Sequence, residues 1–302
     1  MTNPKKQAPV SKIGVWVMAS RPKTLAIALV PILVGTALAY GLHQTVRPLL
    51  SLMAFLSALF IQIGTNLIND ALDFIKGADT KERLGPQRVT QSGLMDAKWV
   101  LRAGFFCFLI STVLAIPLVI EGGWPLVCVG LLSFLAGYAY TGGPFPLAYQ
   151  GLGDLFVLIF YGWVAVGGVY YLNTGQLDWT AWIAGLQVGL LATIPIAINN
   201  LRDHTTDRKV GKKTLPVRFG PSFGKFEIAA VSLVPFAVGG IWFQQGLGWA
   251  FVLPWIALPI AIALIRRIQS NEPGVIYNRF FGLGVGLDLG FGLLLSVGLL
   301  LR

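Results

Sequence analysis

Polar and apolar positions alternate in long blocks, not in the short rhythm of a soluble domain. Apolar runs cover positions 13–42, 48–67, 100–120, 125–140, 152–172, 179–198, 226–244, 249–265 and 280–301. A helix needs about 20 apolar residues to cross the hydrocarbon of a bilayer. The pattern therefore predicts an all-α, polytopic membrane protein with about nine transmembrane helices. Arg21, Pro22 and Lys23 interrupt the first run, and a polar stretch from Asn69 to Lys98 follows the second. Turn residues separate other runs, as at Gly122-Gly123, Gly142-Gly143-Pro144 and Gln245-Gly246. Glycines inside the runs, such as Gly284 and Gly292, suit close helix packing.

Composition sharpens this picture. Of the 302 residues, 55% are hydrophobic and 12% charged, where a soluble domain has roughly a quarter charged. Mean hydropathy is +0.70. These values exclude a soluble enzyme, a disordered chain and a secreted disulfide scaffold. Cys107 and Cys128 lie in apolar runs and form no CxxC pair, so neither zinc nor a disulfide framework is expected. The polar, basic start of the chain reads as no cleavable signal.

The net charge is +10. In a membrane protein such an excess records orientation, not nucleic-acid binding. Lys and Arg cluster at the N-terminus, in 76–102, in 202–225, and at Arg266, Arg267 and Arg279. With nine helices all of these fall on one side, leaving Arg47 and Arg302 on the other. The basic side is expected to be cytoplasmic, with the N-terminus and both long polar loops.

Two acidic segments end at that side. One contains Asn66, Asn69, Asp70, Asp73 and Asp79; the other contains Asn199, Asn200, Asp203 and Asp207. Positions 66, 70 and 73, like 199, 203 and 207, recur at helical spacing, so each set shares one helix face. Like charges at a membrane edge repel and resist desolvation. A divalent cation relieves both costs. Magnesium favours a few carboxylates, waters and substrate phosphates over an all-protein cage. Around these faces lie Lys76, Lys81, Arg83, Arg88, Arg202, Arg208, Lys209, Lys212 and Lys213, which suits a metal-bound anion. The two segments also suggest four-helix halves, about 13–141 and 152–266, plus a ninth helix, in one domain.

These residues resemble the UbiA superfamily of intramembrane aromatic prenyltransferases. Its two motifs correspond to Asn69-Asp70-x-x-Asp73 and Asp203-x-x-x-Asp207. The usual third Asp of the first motif falls on Gly77, and Asp79 stands two residues on. That displacement resembles the branch acting on 1,4-dihydroxy-2-naphthoate in menaquinone synthesis. So do Arg83-Leu-Gly85-Pro86-Gln-Arg88 with Gln91-Ser-Gly93, Arg21-Pro22-Lys23-Thr24, Gly211-Lys212-Lys213-Thr214, and the run from Tyr140 through Tyr149 to Asp154.

The resemblance implies helices around a central cavity and transfer of a polyprenyl group from its diphosphate to an aromatic ring. Asp70, Asp73, Asp203 and Asp207 would bind Mg²⁺ on the diphosphate, supported by Asn66, Asn69 and Asn199. Arg21, Lys23, Arg202 and Lys209 are expected at the diphosphate. Arg83, Arg88, Lys76 and Asp79 lie near the acceptor side. Tyr138, Tyr140 and Tyr149 would face the allylic carbocation. In the naphthoate branch the ring carboxylate leaves as carbon dioxide. Asp154 is read as a helix cap, His204 as a solvated loop residue and His43 as inert. The stretch 71–97 is a lid that shields the cation from water. A different acceptor, such as 4-hydroxybenzoate, and a transporter with paired acidic motifs are the competing readings.

Overall fold

The computed structural model describes residues 11–79 and 83–301. Lys81 and the first ten residues, including Lys5 and Lys6, lie outside that range, as does Arg302. Within it, eight helices are long and apolar enough to span a membrane. They are α2 (Pro22–His43), α3 (Pro48–Ile75), α4 (Ala97–Gly122), α6 (Gly153–Thr174), α7 (Trp179–Arg202), α10 (Pro221–Gln244), α11 (Gly248–Ser270) and α12 (Tyr277–Leu300). A shorter apolar helix, α5 (Trp124–Ala139), lies between α4 and α6. Short helices α1 (Lys12–Ser20), α8 (His204–Lys209) and α9 (Leu215–Phe219) sit at the ends of these spans. The chain is a multi-pass, all-helical membrane protein.

The first apolar run is two helices, not one. Arg21 adopts φ +56°, closes α1 by donating its N–H to the Met18 carbonyl, and precedes Pro22 at the first position of α2. Pro fits there because that N–H has no helical partner. The second run differs more. Helix α3 continues to Ile75, well past the apolar run that ends at 67. Its last turns are polar in sequence yet buried: Asn66, Asn69, Asp70 and Asp73 face protein, and hydrogen bonds from other segments satisfy them. The polarity of that stretch therefore marks a site, not a loop.

Helix α7 is the most enclosed of the spans. It packs against α6, α10 and α12, and α12 in turn packs against α2. The main core gathers Val30, Leu38, Val188, Leu191, Ile194, Leu201, Phe291 and Leu295 from α2, α7 and α12. On the outer flank, α4 and α5 show Phe106, Leu109, Ile120, Leu131 and Leu135 on their surfaces. In a bilayer such exposure costs nothing, because lipid replaces water as the neighbour. Between these flanks lies a cavity of about 340 Å³. Its neck carries Arg21, Asn66, Asn69, Tyr140 and Asn199; below, the wall is mostly aliphatic and aromatic, from Ile61 and Val157 to Leu118 and Leu172.

Candidate active site

The neck is built from the ends of α3 and α7 and from the segments that follow them. Helix α3 stops because Gly77 takes φ +70°. Non-glycine residues avoid that conformation, which explains why the third acidic residue of the motif is absent at 77. After the turn, the amides of Ala78 and Asp79 donate to the Asp73 carbonyl. Asp79 is thus folded back beside Arg83 and Arg88, in contact with both.

The three carboxylates of the first segment have different duties. Asp73 accepts from Tyr149 Oη at 3.0 Å, from Asn69 Nδ2 at 2.9 Å and from Arg88 Nη2 at 3.3 Å. Asp70 instead accepts from the Val89 and Thr90 amides, both at 3.2 Å, and from the Thr90 hydroxyl. Both Asp70 oxygens accept hydrogen bonds from the segment 83–95, which tie it over the end of α3. The physical reason is that the returning chain presents two backbone N–H groups, which a buried carboxylate satisfies. Asp79 has one oxygen without a hydrogen bond, and burial pushes its carboxyl above the usual range despite Arg83.

The second segment is more open. Both Asp203 oxygens accept from Arg202, at 2.8 and 2.6 Å. Arg202 also donates to Asn278 Oδ1 at 2.6 Å, and Asn278 Nδ2 donates to the Leu84 carbonyl at 2.9 Å. The segment expected to be a lid is therefore strapped to α12 as well as to Asp70. Among the described residues the Asp207 carboxylate is paired with Lys212 alone, at 3.8 Å, and burial raises its carboxyl to about 6. Lys212 Nζ also lies 3.9 Å from Asp73. One ammonium thus bridges carboxylates from the two motifs.

Of the other expected residues, Arg21 donates to Asn69 Oδ1 at 2.9 Å, and burial with the nearby Arg83 charge lowers its pKa. Asn66 Nδ2 bonds the Ser20 carbonyl at 2.9 Å and Thr24 Oγ1 at 3.1 Å, so it braces the α1–α2 junction. Lys76 donates to the Thr141 carbonyl at 2.5 Å. Tyr140 lines the cavity; burial and the charges of Asp154 and Asp73 push its hydroxyl up. Tyr149 is already flanked by cations, Lys76 at 5.2 Å and Lys212 at 5.0 Å from its ring. Its hydroxyl is pushed up by burial and by Asp73. It orients Asp73.

Three expected residues stand apart. Tyr138 is on the surface of α5 beside Phe105, at 6.1 Å between ring centroids, and does not line the cavity. Its neighbour Gly137 lines the cavity, and one residue turns the helix by about 100°. Lys23 and Lys209 are exposed. Asp154 does not cap α6; it accepts from Asn200 at 3.2 and 2.9 Å. His204 bonds the Leu201 carbonyl at 2.8 Å, as a helix-end residue does. His43 lies at the opposite face, its ring 2.8 Å from Tyr170 Oη. Sequence reasoning left out Asn278 and Thr90, and placed Asn200 in the second acidic segment without giving it a partner. Lys212 was visible within a basic run, but its bridging place was not.

The donor set fits a divalent cation. Asp73 and Asp207 come from different helices, sit close enough to share one ammonium, and Asp207 is buried with little compensation. Among the described residues no three His, Cys, Asp or Glu form a ready cage. That suits an ion that keeps waters and takes phosphate oxygens.

A bundle that gathers carboxylates and cations above an apolar, membrane-embedded cavity defines an intramembrane enzyme for lipids with anionic heads. The chain belongs to the UbiA prenyltransferase family, which residues 28–285 match. It is 34% identical to the 1,4-dihydroxy-2-naphthoate octaprenyltransferase of Haemophilus influenzae, over 95% of this chain and 97% of that one. It is 37% identical to the enzyme of the same name from Escherichia coli, over 87% of each. Its fold resembles that of a UbiA homolog from Archaeoglobus fulgidus bound to DMAPP and Mg²⁺. The TM-score is 0.57 at 17% identity, over 93% of this chain and 99% of the other.

Proposed function

We propose that this protein transfers a polyprenyl group from polyprenyl diphosphate to 1,4-dihydroxy-2-naphthoate, releasing diphosphate and carbon dioxide and giving demethylmenaquinol. The observation that carries the reading is the convergence of Asp73 and Asp207 on Lys212 above the cavity. The names of the two bacterial relatives support the acceptor. The two motif helices, α3 and α7, are read as counterparts in duplicated four-helix halves.

Asp73 and Asp207 would hold Mg²⁺, with Asp203, Asn69 and Asn199 on the same helix faces. The ion, when bound, neutralises charge on the diphosphate. Lys212, Arg88 and Lys76 then serve the leaving group, each at present held by a carboxylate, a carbonyl or a ring. The carbon–oxygen bond to diphosphate breaks with its electron pair on oxygen. The ring carbon bearing the carboxylate supplies a pair to the prenyl carbon. The pair of the carbon–carboxylate bond returns to the ring as carbon dioxide departs. Tyr140 faces the cavity at the level where the allylic cation forms, and an aromatic face stabilises it by about 0.5–2 kcal/mol. The apolar wall below takes the isoprenoid chain. The segment 83–95, strapped by Asp70 and Asn278, keeps water from the cation. Arg21 is the cation among the described residues that line the cavity, and it meets the acceptor carboxylate or the diphosphate. The basic face is read as cytoplasmic, in the inner membrane of a bacterium.

The test is prenyl transfer by purified protein in detergent. Farnesyl diphosphate is offered with 1,4-dihydroxy-2-naphthoate or 4-hydroxybenzoate, with and without Mg²⁺. The expected result is product with the naphthoate and Mg²⁺ only. Product with 4-hydroxybenzoate alone overturns the acceptor. Product with neither, from folded protein, overturns the reaction.

A further inference from the structure

The apolar part of the cavity contains a polar pair that a hydrocarbon chain does not need. Gln62 on α3 and Tyr161 on α6 both line it, and the Tyr161 hydroxyl donates to the Gln62 side-chain oxygen. A carboxamide has two polar ends. Tyr161 engages one of them. Among the described residues the other has no hydrogen-bond partner, and it is not among the buried atoms sealed without one, so it is open to the cavity. Two serines of the wall are satisfied internally: Ser57 pairs with Ser111 at 2.8 Å, and Ser133 donates to the Val129 carbonyl at 2.7 Å. An amide facing only isoprenoid carbon would lose hydration without replacement, at about 1–3 kcal/mol.

A second observation shows that the pair is built. Helix α6 widens to a π-helix over Leu158–Val164, the segment that carries Tyr161. Such segments re-aim side chains and recur at functional sites. The adjacent Gly162 lies so close to α7 that a Cβ would stand 2.3 Å from the Gly185 carbonyl oxygen. The backbone is thereby fixed while the ring of Tyr161 reaches across the cavity to α3.

Depth then identifies the ligand. Gln62 lies two helical turns below Asn69, or about 10 Å along α3. Asn69 holds Arg21 at the neck. An aromatic ring with a carboxylate at one end and a hydroxyl toward the other spans such a gap. A prenyl chain offers nothing to an amide, and a diphosphate belongs above the neck. We infer that Gln62, positioned by Tyr161, hydrogen-bonds the ring oxygen of the aromatic acceptor that lies farthest from its carboxylate, and so sets acceptor specificity. This rests on the prenyltransferase reading and adds a residue to it.

The probes are 1,4-dihydroxy-2-naphthoate and 1-hydroxy-2-naphthoate, which lacks the distal hydroxyl. The KM of the first is compared with the inhibition constant of the second, alongside the KM for farnesyl diphosphate. In the unaltered protein the distal hydroxyl should improve binding by about tenfold. Gln62→Met should reduce that ratio to about twofold while leaving the farnesyl diphosphate KM unchanged. Tyr161→Phe, which keeps the amide but frees it to turn, should give an intermediate ratio; it serves as the readout if Gln62→Met does not fold. Retention of the full ratio in both variants overturns the inference, as does a loss that falls on farnesyl diphosphate. If the enzyme prenylates only 4-hydroxybenzoate, the acceptor reading fails separately. The same ratio is then measured with 4-hydroxybenzoate against benzoate, and its survival in Gln62→Met overturns the assignment.

Discussion

The two motif ends look alike in sequence and differ in construction. At the end of α3, every carboxylate meets the segment that returns over it: Asp70 meets Val89 and Thr90, Asp73 meets Arg88 besides Tyr149 and Asn69, and Asp79 meets Arg83 and Arg88. At the end of α7, Asp203 is tied to its neighbour Arg202, and Asp207 has only a distant ammonium. The first end is a preorganised frame. The second pairs one acid, Asp203, and leaves another, Asp207, whose charge is poorly met until something cationic arrives. Preorganised groups do not reorganise when charge develops, while an underpaired buried acid binds a cation with gain. One helical spacing therefore serves two purposes.

The sharpest way to break this comparison is to neutralise one acid in each role. Asp73→Asn should lower kcat/KM for prenyl transfer by about a thousandfold, and Asp207→Asn should do nearly as much. Steady-state kinetics on purified protein measure both. Asp70→Asn, whose carboxylate holds the segment 83–95, should act on stability instead, by about 2 kcal/mol. Its signature is a lower unfolding midpoint and faster proteolytic cutting in 83–95, with kcat reduced less than about tenfold. Equal losses of activity for Asp70→Asn and Asp73→Asn, at unchanged stability, would contradict the division of roles.

A smaller effect concerns protons. Burial raises Asp207 from 3.8 to about 6. Between those values the folded chain holds a proton that the unfolded chain has released. The contribution of this group to stability is therefore present below the unfolded pKa and is lost as pH rises through about 6. An ion that takes the carboxylate must expel that proton. Calorimetric titration of Mg²⁺ with a non-hydrolysable prenyl diphosphate analogue, in two buffers of different ionisation enthalpy, should show proton release at pH 6 and much less at pH 8. Asp207→Asn should abolish the difference.

The tyrosines give the smallest contrast. Tyr140→Leu removes a ring from the cavity neck and should cost about tenfold in kcat. Tyr138→Leu, on the outer face of α5, should leave kcat/KM within about twofold. Activity measured side by side decides it, and a large loss for Tyr138→Leu would place the reacting carbon elsewhere.

The sequence by itself determined the helical, membrane-spanning class and the two acidic faces. These are local properties: hydrophobic run length and the 3.6-residue period are written into neighbouring positions. It also located the Gly77 departure, whose cause is likewise local, a left-handed turn. Only the tertiary structure decided that α3 stays helical through its polar end, that Asp70 holds a loop while Asp73 faces the site, and that Tyr138 points outward. It alone joined Arg202 to Asn278 and Leu84, and Gln62 to Tyr161 across the cavity. The reason is distance along the chain. A helix period says which residues share a face, but the partner of that face comes from a segment tens to hundreds of residues away. Its arrival depends on how every intervening helix packs.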